Sequence, residues 1–111
     1  MATLPAVLLD ALRTRFGERC TTGEAVRLQH GRDESSFAPV PPDAVVFAQN
    51  TDAVAVVVAL CHRHRVPVIA FGTGTSLEGH LHAVRGGVCI DLSAMNRILA
   101  VRGEDLDASV E

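Results

Sequence analysis

The sequence predicts an α/β fold in which a small parallel sheet, built around a β-α-β unit with flanking helices, carries a glycine-rich loop. Two short apolar runs, residues 44–48 and 68–71, have the length and composition of buried strands. Residues 51–65 between them are expected to form a helix. A connection of this length favours parallel strands joined by a right-handed crossover. The loop after the second run should therefore lie at the carboxyl edge of the sheet, where ligands of such folds bind.

The segment before this unit is expected to contain one amphipathic helix and one long loop. Thr3 and Pro5 mark the start of a helix over residues 5–16, because proline is tolerated in the first helical turn, and Gly17 suits its end. The apolar side chains of this helix are spaced four residues apart: Leu8, Leu12 and Phe16. Residues 23–42 are polar and contain several glycines and prolines, which predicts an irregular, solvated segment.

The crossover helix carries the signals of both helix ends. Asn50 or Thr51 is expected to cap its N-terminus, and Asp52 in the first turn interacts favourably with the helix dipole. Its expected apolar face consists of Val54, Val57, Val58 and Cys61. The basic residues 62–65 suit its C-terminus.

Beyond the glycine-rich loop, the pattern predicts short strands separated by turns. Gly86 and Gly87 form a turn before the first of these strands, in which Val88, Ile90 and Leu92 should share one face. The elements follow in order: a strand over residues 88–92, a short helical turn over 93–96, a strand over 98–101, a turn over 103–105 and a strand over 107–111. The sequence ends within this last strand pattern, which predicts a piece of a longer protein.

Composition restricts the class of protein to an ordinary soluble domain. The chain has 111 residues, 48% of them hydrophobic and 21% charged, with a formal net charge of -3. The lack of a basic patch and the low aromatic content argue against a nucleic-acid partner. The longest apolar run, residues 53–61, is shorter than the roughly 20 residues of a membrane helix, and no signal segment is seen. We therefore expect a cytoplasmic location, with peripheral membrane association of the full-length protein left open.

The three cysteines are expected to be free thiols. Cys20, Cys61 and Cys89 are widely spaced and form no CxxC motif, which is typical of a reducing compartment. The last two lie in apolar patterns and should behave as small buried hydrophobes. No base is placed beside Cys89, so the pattern predicts no nucleophile there.

The most informative segment is the loop of residues 72–79, which combines glycines with Thr and Ser. Glycine lets a ligand approach the backbone closely, and successive N–H groups of such a loop can hold a phosphate or pyrophosphate. The Rossmann fingerprint fails at Leu77, where a third glycine should stand, and the P-loop pattern fails at His80, where a lysine should stand. No lysine or arginine lies between Arg65 and Arg85, so backbone dipoles and hydroxyls would have to bind the anion. A glycine-rich turn without a ligand is the alternative.

The histidines do not predict a metal site. His62 and His64 would point to different sides of their helix and do not converge. The histidines therefore give no zinc-binding pattern.

The order of these segments along the chain is more informative than the glycine-rich loop alone. Asp33-Glu34-Ser35-Ser36 precedes Pro42-Asp43-Ala44-Val45-Val46, the capped helix follows, and Phe71-Gly72-Thr73-Gly74-Thr75-Ser76-Leu77-Glu78-Gly79-His80 comes before Gly86-Gly87-Val88-Cys89-Ile90-Asp91-Leu92. This order resembles the start of the FAD-binding domain of the vanillyl-alcohol oxidase/p-cresol methylhydroxylase flavoprotein family. Within that family it is most similar to the group of FAD-linked D-lactate dehydrogenase (cytochrome) and the glycolate oxidase D-subunit. The similarity covers residues 31–111, whereas residues 1–30 provide a leading helix and a linker.

The resemblance implies an α/β (α+β) fold that is the first half of a p-cresol methylhydroxylase (PCMH)-type FAD-binding domain, truncated at its C-terminus. It implies FAD as the cofactor, and its pyrophosphate would contact Gly72, Thr73, Gly74, Thr75, Ser76 and Gly79. We expect Leu77 to pack under the loop and Glu78 to point away from the pyrophosphate, which would repel it. A covalent bond to FAD through His80 is not expected, because the group that the sequence resembles binds FAD non-covalently.

The resemblance also implies that the parent protein is a flavin-dependent oxidoreductase of a 2-hydroxy acid, D-lactate or glycolate. A hydride would pass from substrate to flavin, and electrons would then pass to a cytochrome, quinone or other acceptor. The C-terminal substrate domain and the catalytic residues would lie outside this chain, which alone is expected to be inactive and to hold no catalytic or metal-binding residue. An exposed sheet edge would permit homo-oligomers. The alternatives are a stand-alone nucleotide-binding or interaction module without enzymatic activity, and an inert fragment with an empty loop.

Overall fold

The computed structural model describes residues 4–111, so the expected role of Thr3 in starting the first helix lies outside the described residues. This part of the chain forms one four-stranded sheet, one hairpin and three α-helices. The elements follow in this order: α1 (Ala6–Phe16), a 3-10 turn (Gly17–Arg19), β1 (Cys20–Thr21), α2 (Glu24–Gln29), β2 (Ala44–Phe47), α3 (Thr51–Arg63), β3 (Val68–Phe71), β4 (Val88–Asp91), β5 (Ile98–Arg102) and β6 (Asp107–Val110).

The main sheet has the strand order β1-β2-β4-β3. β4 lies between β2 and β3 and is parallel to both, whereas the short β1 pairs antiparallel with β2. The predicted β-α-β unit is confirmed, with its two strands parallel and separated by β4. The three parallel strands end together in one row, formed by Phe47, Asp91 and Phe71. This row is the carboxyl edge of the sheet.

Helices α1 and α3 cover one face of the sheet. The buried cluster on this face includes Leu8, Leu12, Phe16, Val46, Val57, Cys61, Val88 and Ile90. Full burial of a leucine such as Leu12 contributes about 2–3 kcal/mol, so this apolar face is the main attachment of α1 to the sheet. The opposite face carries a second cluster of Val45, Phe71, Leu81 and Cys89. The predicted alternation along β4 is therefore confirmed.

Helix α3 begins as predicted, but its apolar face is different. The side chain of Asn50 accepts a hydrogen bond from the Ala53 amide at 2.8 Å, which caps the N-terminus. Val58, predicted to be in the core, is 45% exposed, whereas Ala53, Val57 and Cys61 are buried. The contact with the sheet follows a spacing of four residues, which leaves Val58 at the margin of the buried stripe.

The predicted loop over residues 23–42 contains the short helix α2, and the prediction was wrong there. Val26 of α2 packs against the second core cluster. With only six residues, α2 is too short for a visible amphipathic period, and tertiary packing stabilises it rather than its own propensity. The sequence pattern also does not predict β1, whose two residues pair with β2.

The elements after β4 follow the predicted order, but the predicted helical turn is shorter than a helix. The predicted helical turn over residues 93–96 is a single hydrogen-bonded turn, in which the Met95 amide donates to the Leu92 carbonyl at 2.9 Å. β5 and β6 form a separate antiparallel hairpin. The three cysteines are buried and free.

Candidate functional site

The glycine-rich loop leaves the carboxyl end of β3 directly after Phe71, as predicted. It encloses most of a cavity of about 290 Å³. The lining residues are Ala70, Gly72, Thr73, Gly74, Thr75, Ser76, His80 and Leu81. Five of the six predicted site residues are thus brought together, and Gly79 lies outside the lining. The volume is at the small end of the range for ligand pockets, which suits one part of a large ligand.

Backbone amides are the main unused hydrogen-bond donors of this cavity. The N–H groups of residues 72–78 have no acceptor within the part of the chain that the structure describes. The hydroxyls of Thr73 and Thr75 lie 3.1 Å apart and share one hydrogen bond, which keeps both at the same side of the loop. A row of amides without internal acceptors is the arrangement that binds an anion. The loop can therefore hold a phosphate or pyrophosphate.

Gly72 shows how the loop leaves room for a ligand. Its backbone is outside the left-handed region, and a Cβ added to it would meet no atom within 4 Å. Nothing in the fold therefore requires a glycine at this position of the cavity wall. The missing side chain leaves the backbone open to close approach by a ligand.

Gly74 is a glycine for structural reasons. Its φ is +76°, and an added Cβ would lie 2.8 Å from Cζ of Phe71, which is in the second core cluster. A side chain at this position would be strained by the backbone conformation and would press on the core. Gly74 thus turns the chain over Phe71.

The carboxylate of Asp33 anchors the far end of the loop. Its Oδ2 accepts hydrogen bonds from the Gly79 amide at 2.9 Å and from the Ser76 hydroxyl at 3.2 Å. A second link joins the same segments, because the Glu34 amide donates to the Ser76 carbonyl at 3.0 Å. The segment of residues 31–37 is therefore attached to the loop rather than freely solvated.

The surroundings of Asp33 favour its ionised form. Hydrogen bonds from Ser35, from the Gly79 amide and from the Ser76 hydroxyl outweigh burial and hold the pKa of Asp33 well below its usual range. The side chain has no exposed surface. Nε2 of the buried His82 lies 3.4 Å from Oδ1 of Asp33 and has no hydrogen-bond partner in the described residues.

Of the two loop residues with a predicted orientation, Leu77 and Glu78, only Glu78 agrees with the structure. Leu77 was predicted to pack under the loop, and this was wrong, because its side chain is 68% exposed. Leu81, with 4% exposure, packs in the second core cluster instead. Glu78 lines a separate cavity with Phe37, away from the amide-lined one, in agreement with the expectation for its carboxylate.

A buried His30–Asp91 pair lies beneath the start of the loop, and sequence reasoning did not find it. Nε2 of His30 is 2.7 Å from Oδ2 of Asp91, and Nδ1 is 2.8 Å from the carbonyl of Val26. Burial raises the pKa of Asp91, but hydrogen bonds from Ser93 and His30 outweigh it and hold this pKa below its usual value. The His30 ring also packs on Phe71 at 4.4 Å between centroids. The pair thus packs against Phe71, the last residue of β3, through the His30 ring.

Neither a lysine nor an arginine lines the amide-rich cavity within residues 4–111, so an anion would be held by dipoles and hydroxyls. The same residues contain no group of three or more His, Cys, Asp or Glu side chains that could hold a metal ion. In the described region no helix has the length and apolar character needed to cross a membrane.

The sequence is similar to a family of cofactor-binding domains and to several curated proteins. The family described as "FAD binding domain" matches residues 42–111. A Danio rerio protein named "Probable D-lactate dehydrogenase, mitochondrial" is 47% identical over 94 residues, which are 85% of this chain and 19% of that protein. The Arabidopsis thaliana mitochondrial D-lactate dehydrogenase [cytochrome] is 39% identical over 97% of this chain and 19% of its own length. The glycolate oxidase subunit GlcD of Bacillus subtilis is 34% identical over 85% of this chain and 20% of its own length.

Solved structures share the fold at low sequence identity. An alkyldihydroxyacetonephosphate synthase matches 97% of this chain and 24% of its own with a TM-score of 0.82 and 23% identity. A p-cresol methylhydroxylase with bound substrate matches 88% of this chain and 20% of its own with a TM-score of 0.74 and 22% identity. The fold of this chain thus recurs as one part of larger proteins.

Proposed function

We propose that the glycine-rich loop of this chain, which belongs to the FAD-binding domain family, holds the pyrophosphate of FAD. The complete protein would be a 2-hydroxy-acid oxidoreductase. The observation that carries this proposal is the row of unused amides from Gly72 to Ser76 at the carboxyl edge of the sheet. Backbone dipoles can neutralise a pyrophosphate without a cationic side chain.

The resemblance predicted from the sequence is confirmed by these matches. The cofactor of the family is FAD, and the relatives are D-lactate dehydrogenase and glycolate oxidase proteins. The α/β fold with a mostly parallel sheet is confirmed as well, and PCMH-type proteins share it. The alternative of a stand-alone module without enzymatic activity is not favoured by these relatives.

The chain spans about a fifth of the length of the curated relatives that it matches. The activity of the whole protein is therefore part of the proposal, and D-lactate and glycolate are the substrates suggested by the relatives' names. A cytochrome or a quinone would accept the electrons. Residues 31–111 would be the first part of the FAD-binding domain, preceded by residues 1–30, in which β1 and α2 join the same fold rather than forming a linker. The relatives are mitochondrial or bacterial proteins, and the location proposed for this chain is cytoplasmic, with peripheral membrane association of the full-length protein left open.

The residues of this chain would bind and orient the cofactor. When bound, the flavin supplies the oxidising power for the substrate C–H bond. The amides of residues 72–76 would donate to the pyrophosphate, and Thr73 and Thr75 would add hydroxyl donors. Gly79, the sixth residue predicted for the cofactor, lies outside the cavity lining, and its amide donates to Asp33, so it would hold the loop in place. The 111-residue chain alone would hold no group for the C–H chemistry and would be inactive, and the edge strand β3 could pair with a second copy.

Titration of FAD against the natural full-length polypeptide tests this proposal. Gly72→Asp would place a carboxylate in the cavity at a position where the fold tolerates a side chain. Gly103→Asp is the matched control, because Gly103 has equally open surroundings but lies in the turn between β5 and β6. We expect Gly72→Asp to lose FAD and turnover of D-lactate or glycolate with a dye acceptor, and Gly103→Asp to keep both. Unchanged FAD binding in Gly72→Asp would contradict the proposal.

A further inference from the structure

Asp33 lies far from the glycine-rich loop in sequence and is attached to it in space. Its carboxylate accepts from the Ser76 hydroxyl and the Gly79 amide, which are 43 and 46 residues further along the chain. Its other oxygen accepts from the Ser35 amide at 2.9 Å. The carboxylate therefore has donors on both oxygens and no exposed side-chain surface.

These hydrogen bonds divide the loop into two parts. In the anchored part, residues 76–79, the Ser76 hydroxyl and the Gly79 amide are already used by Asp33, and the Ser76 carbonyl is bound to the Glu34 amide. In the open part, residues 72–75, no group is bound to Asp33 or Glu34, and all four residues line the cavity. Ser76 lies at the boundary, because its hydroxyl and carbonyl are anchored while its amide has no acceptor within the described residues. A donor bound to Asp33 cannot also donate fully to a ligand.

We propose that Asp33 is a positioning residue for FAD, which holds residues 76–79 so that the amides of residues 72–76 face the pyrophosphate before it binds. This inference rests on the function proposed above. A loop held in its binding conformation loses less freedom when the ligand arrives, so preorganisation appears as affinity. Charge-assisted hydrogen bonds such as those to Asp33 are stronger than neutral ones and suit this role.

The sign of the effect separates this role from a direct electrostatic one. A carboxylate acting on the pyrophosphate through space would repel it, and removing its charge would tighten FAD binding. A carboxylate that orders the loop has the opposite effect, because its removal weakens FAD binding. Asp33→Asn keeps the shape but puts an amide NH2 group against one of the two sets of donors.

The experiment compares Asp33→Asn with Asp43→Asn in the natural full-length polypeptide. Asp43 is a matched control, because its Oδ2 also accepts from a glycine amide, that of Gly87 at 2.7 Å, but at the opposite end of the sheet. Both variants lose a hydrogen bond that supports the fold. We expect the FAD Kd to rise about tenfold or more in Asp33→Asn and to stay within about twofold of the wild-type value in Asp43→Asn.

The double variant Asp33→Asn/Ser76→Ala distinguishes a Ser76 hydroxyl that acts through Asp33 from one that contacts FAD directly. If the Ser76 hydroxyl acts through Asp33, Ser76→Ala weakens FAD binding about three- to tenfold alone and has little further effect in Asp33→Asn. Additive effects, a wild-type Kd in Asp33→Asn or a tighter Kd would each overturn the inference while leaving the proposed function in place. Absence of FAD binding by the unsubstituted protein would overturn both. If Asp33→Asn no longer unfolds cooperatively, the Ser76→Ala variant replaces it in the test, provided that its unfolding midpoint is unchanged. A wild-type FAD Kd in Ser76→Ala would then overturn the inference.

Discussion

Substitution of Gly72 by alanine separates a ligand contact from a requirement of the fold. An added Cβ at Gly72 meets no atom within 4 Å, and the backbone there is outside the left-handed region. The added methyl group should therefore not destabilise the fold, and the restricted unfolded chain should raise the free energy of unfolding by about 0.4–1 kcal/mol. In the FAD complex the same methyl group would stand on the surface that the pyrophosphate approaches. We expect the FAD Kd to rise about tenfold or more, which corresponds to about 1.4 kcal/mol of lost binding free energy.

Two other glycines serve as controls for this substitution. In Gly74→Ala, the φ of +76° and the distance of 2.8 Å between the new Cβ and Cζ of Phe71 both act against the folded state. The backbone conformation costs about 1–2 kcal/mol, and the overlap with a buried ring costs about 1–3 kcal/mol more. The restricted unfolded chain returns about 0.4–1 kcal/mol, so a net loss of about 1–5 kcal/mol is expected. Gly103→Ala, with open surroundings in the hairpin turn, should have the same small stabilising effect as Gly72→Ala and should leave FAD affinity unchanged.

The assay measures two quantities on each variant. Thermal unfolding followed by circular dichroism without FAD gives the change in stability, and quenching of flavin fluorescence gives the Kd. Gly72→Ala should keep or slightly raise its unfolding midpoint and lose FAD affinity, whereas Gly74→Ala should lower its unfolding midpoint. A Gly72→Ala variant that binds FAD as tightly as the Gly103→Ala control would refute the assignment of Gly72 to the cofactor surface.

Three further predictions follow from the fold. Gly87→Ala, with φ of +109° and a new Cβ 2.4 Å from the Pro67 carbonyl oxygen, should lose about 3 kcal/mol or more, and an unchanged unfolding midpoint would contradict the packing described. Burial raises the pKa of Cys61 to about 11 and that of Cys89 to about 12, so neither thiol should react with a disulfide reagent at pH 8 until the protein unfolds; rapid labelling of the folded chain would argue against this burial. Asp91→Ala breaks a buried pair and should cost about 3 kcal/mol at pH 7. Because the pKa of Asp91 is lowered in the folded state, its contribution is present above the unfolded pKa and is lost as pH falls through the lowered folded value. The difference in stability between wild-type protein and Asp91→Ala should therefore narrow below about pH 4, and a constant difference would contradict the role of its charge.

The elements with clear local signals could be predicted from the sequence. The apolar runs of β2, β3 and β4, and the Asn50 cap of α3, lie where the pattern placed them. The loop at the end of β3 was found from its glycines and from the parallel arrangement of the strands. These features depend on residues that are close together in the chain, so the sequence pattern contains them.

The features that were missed depend on contacts between distant residues. Helix α2 is stabilised by packing of Val26 on the second core cluster, and its six residues carry little signal of their own. Leu77 and Leu81 have the same type of side chain, and only the path of the loop decides that the second one is buried. Asp33 followed by Ser35 is typical of a local turn, and the Asp33 bond to the Gly79 amide 46 residues later cannot be inferred from that pattern.

A structure of the natural full-length polypeptide with FAD would test the central claim most directly. The measured quantities are the distances from the pyrophosphate oxygens to the amide nitrogens of residues 72–76. We expect two or more of these distances to be about 2.7–3.2 Å, with the bond between Asp33 and the Gly79 amide retained. A pyrophosphate bound away from these amides, or a loop whose amides turn outwards when FAD is present, would contradict the account.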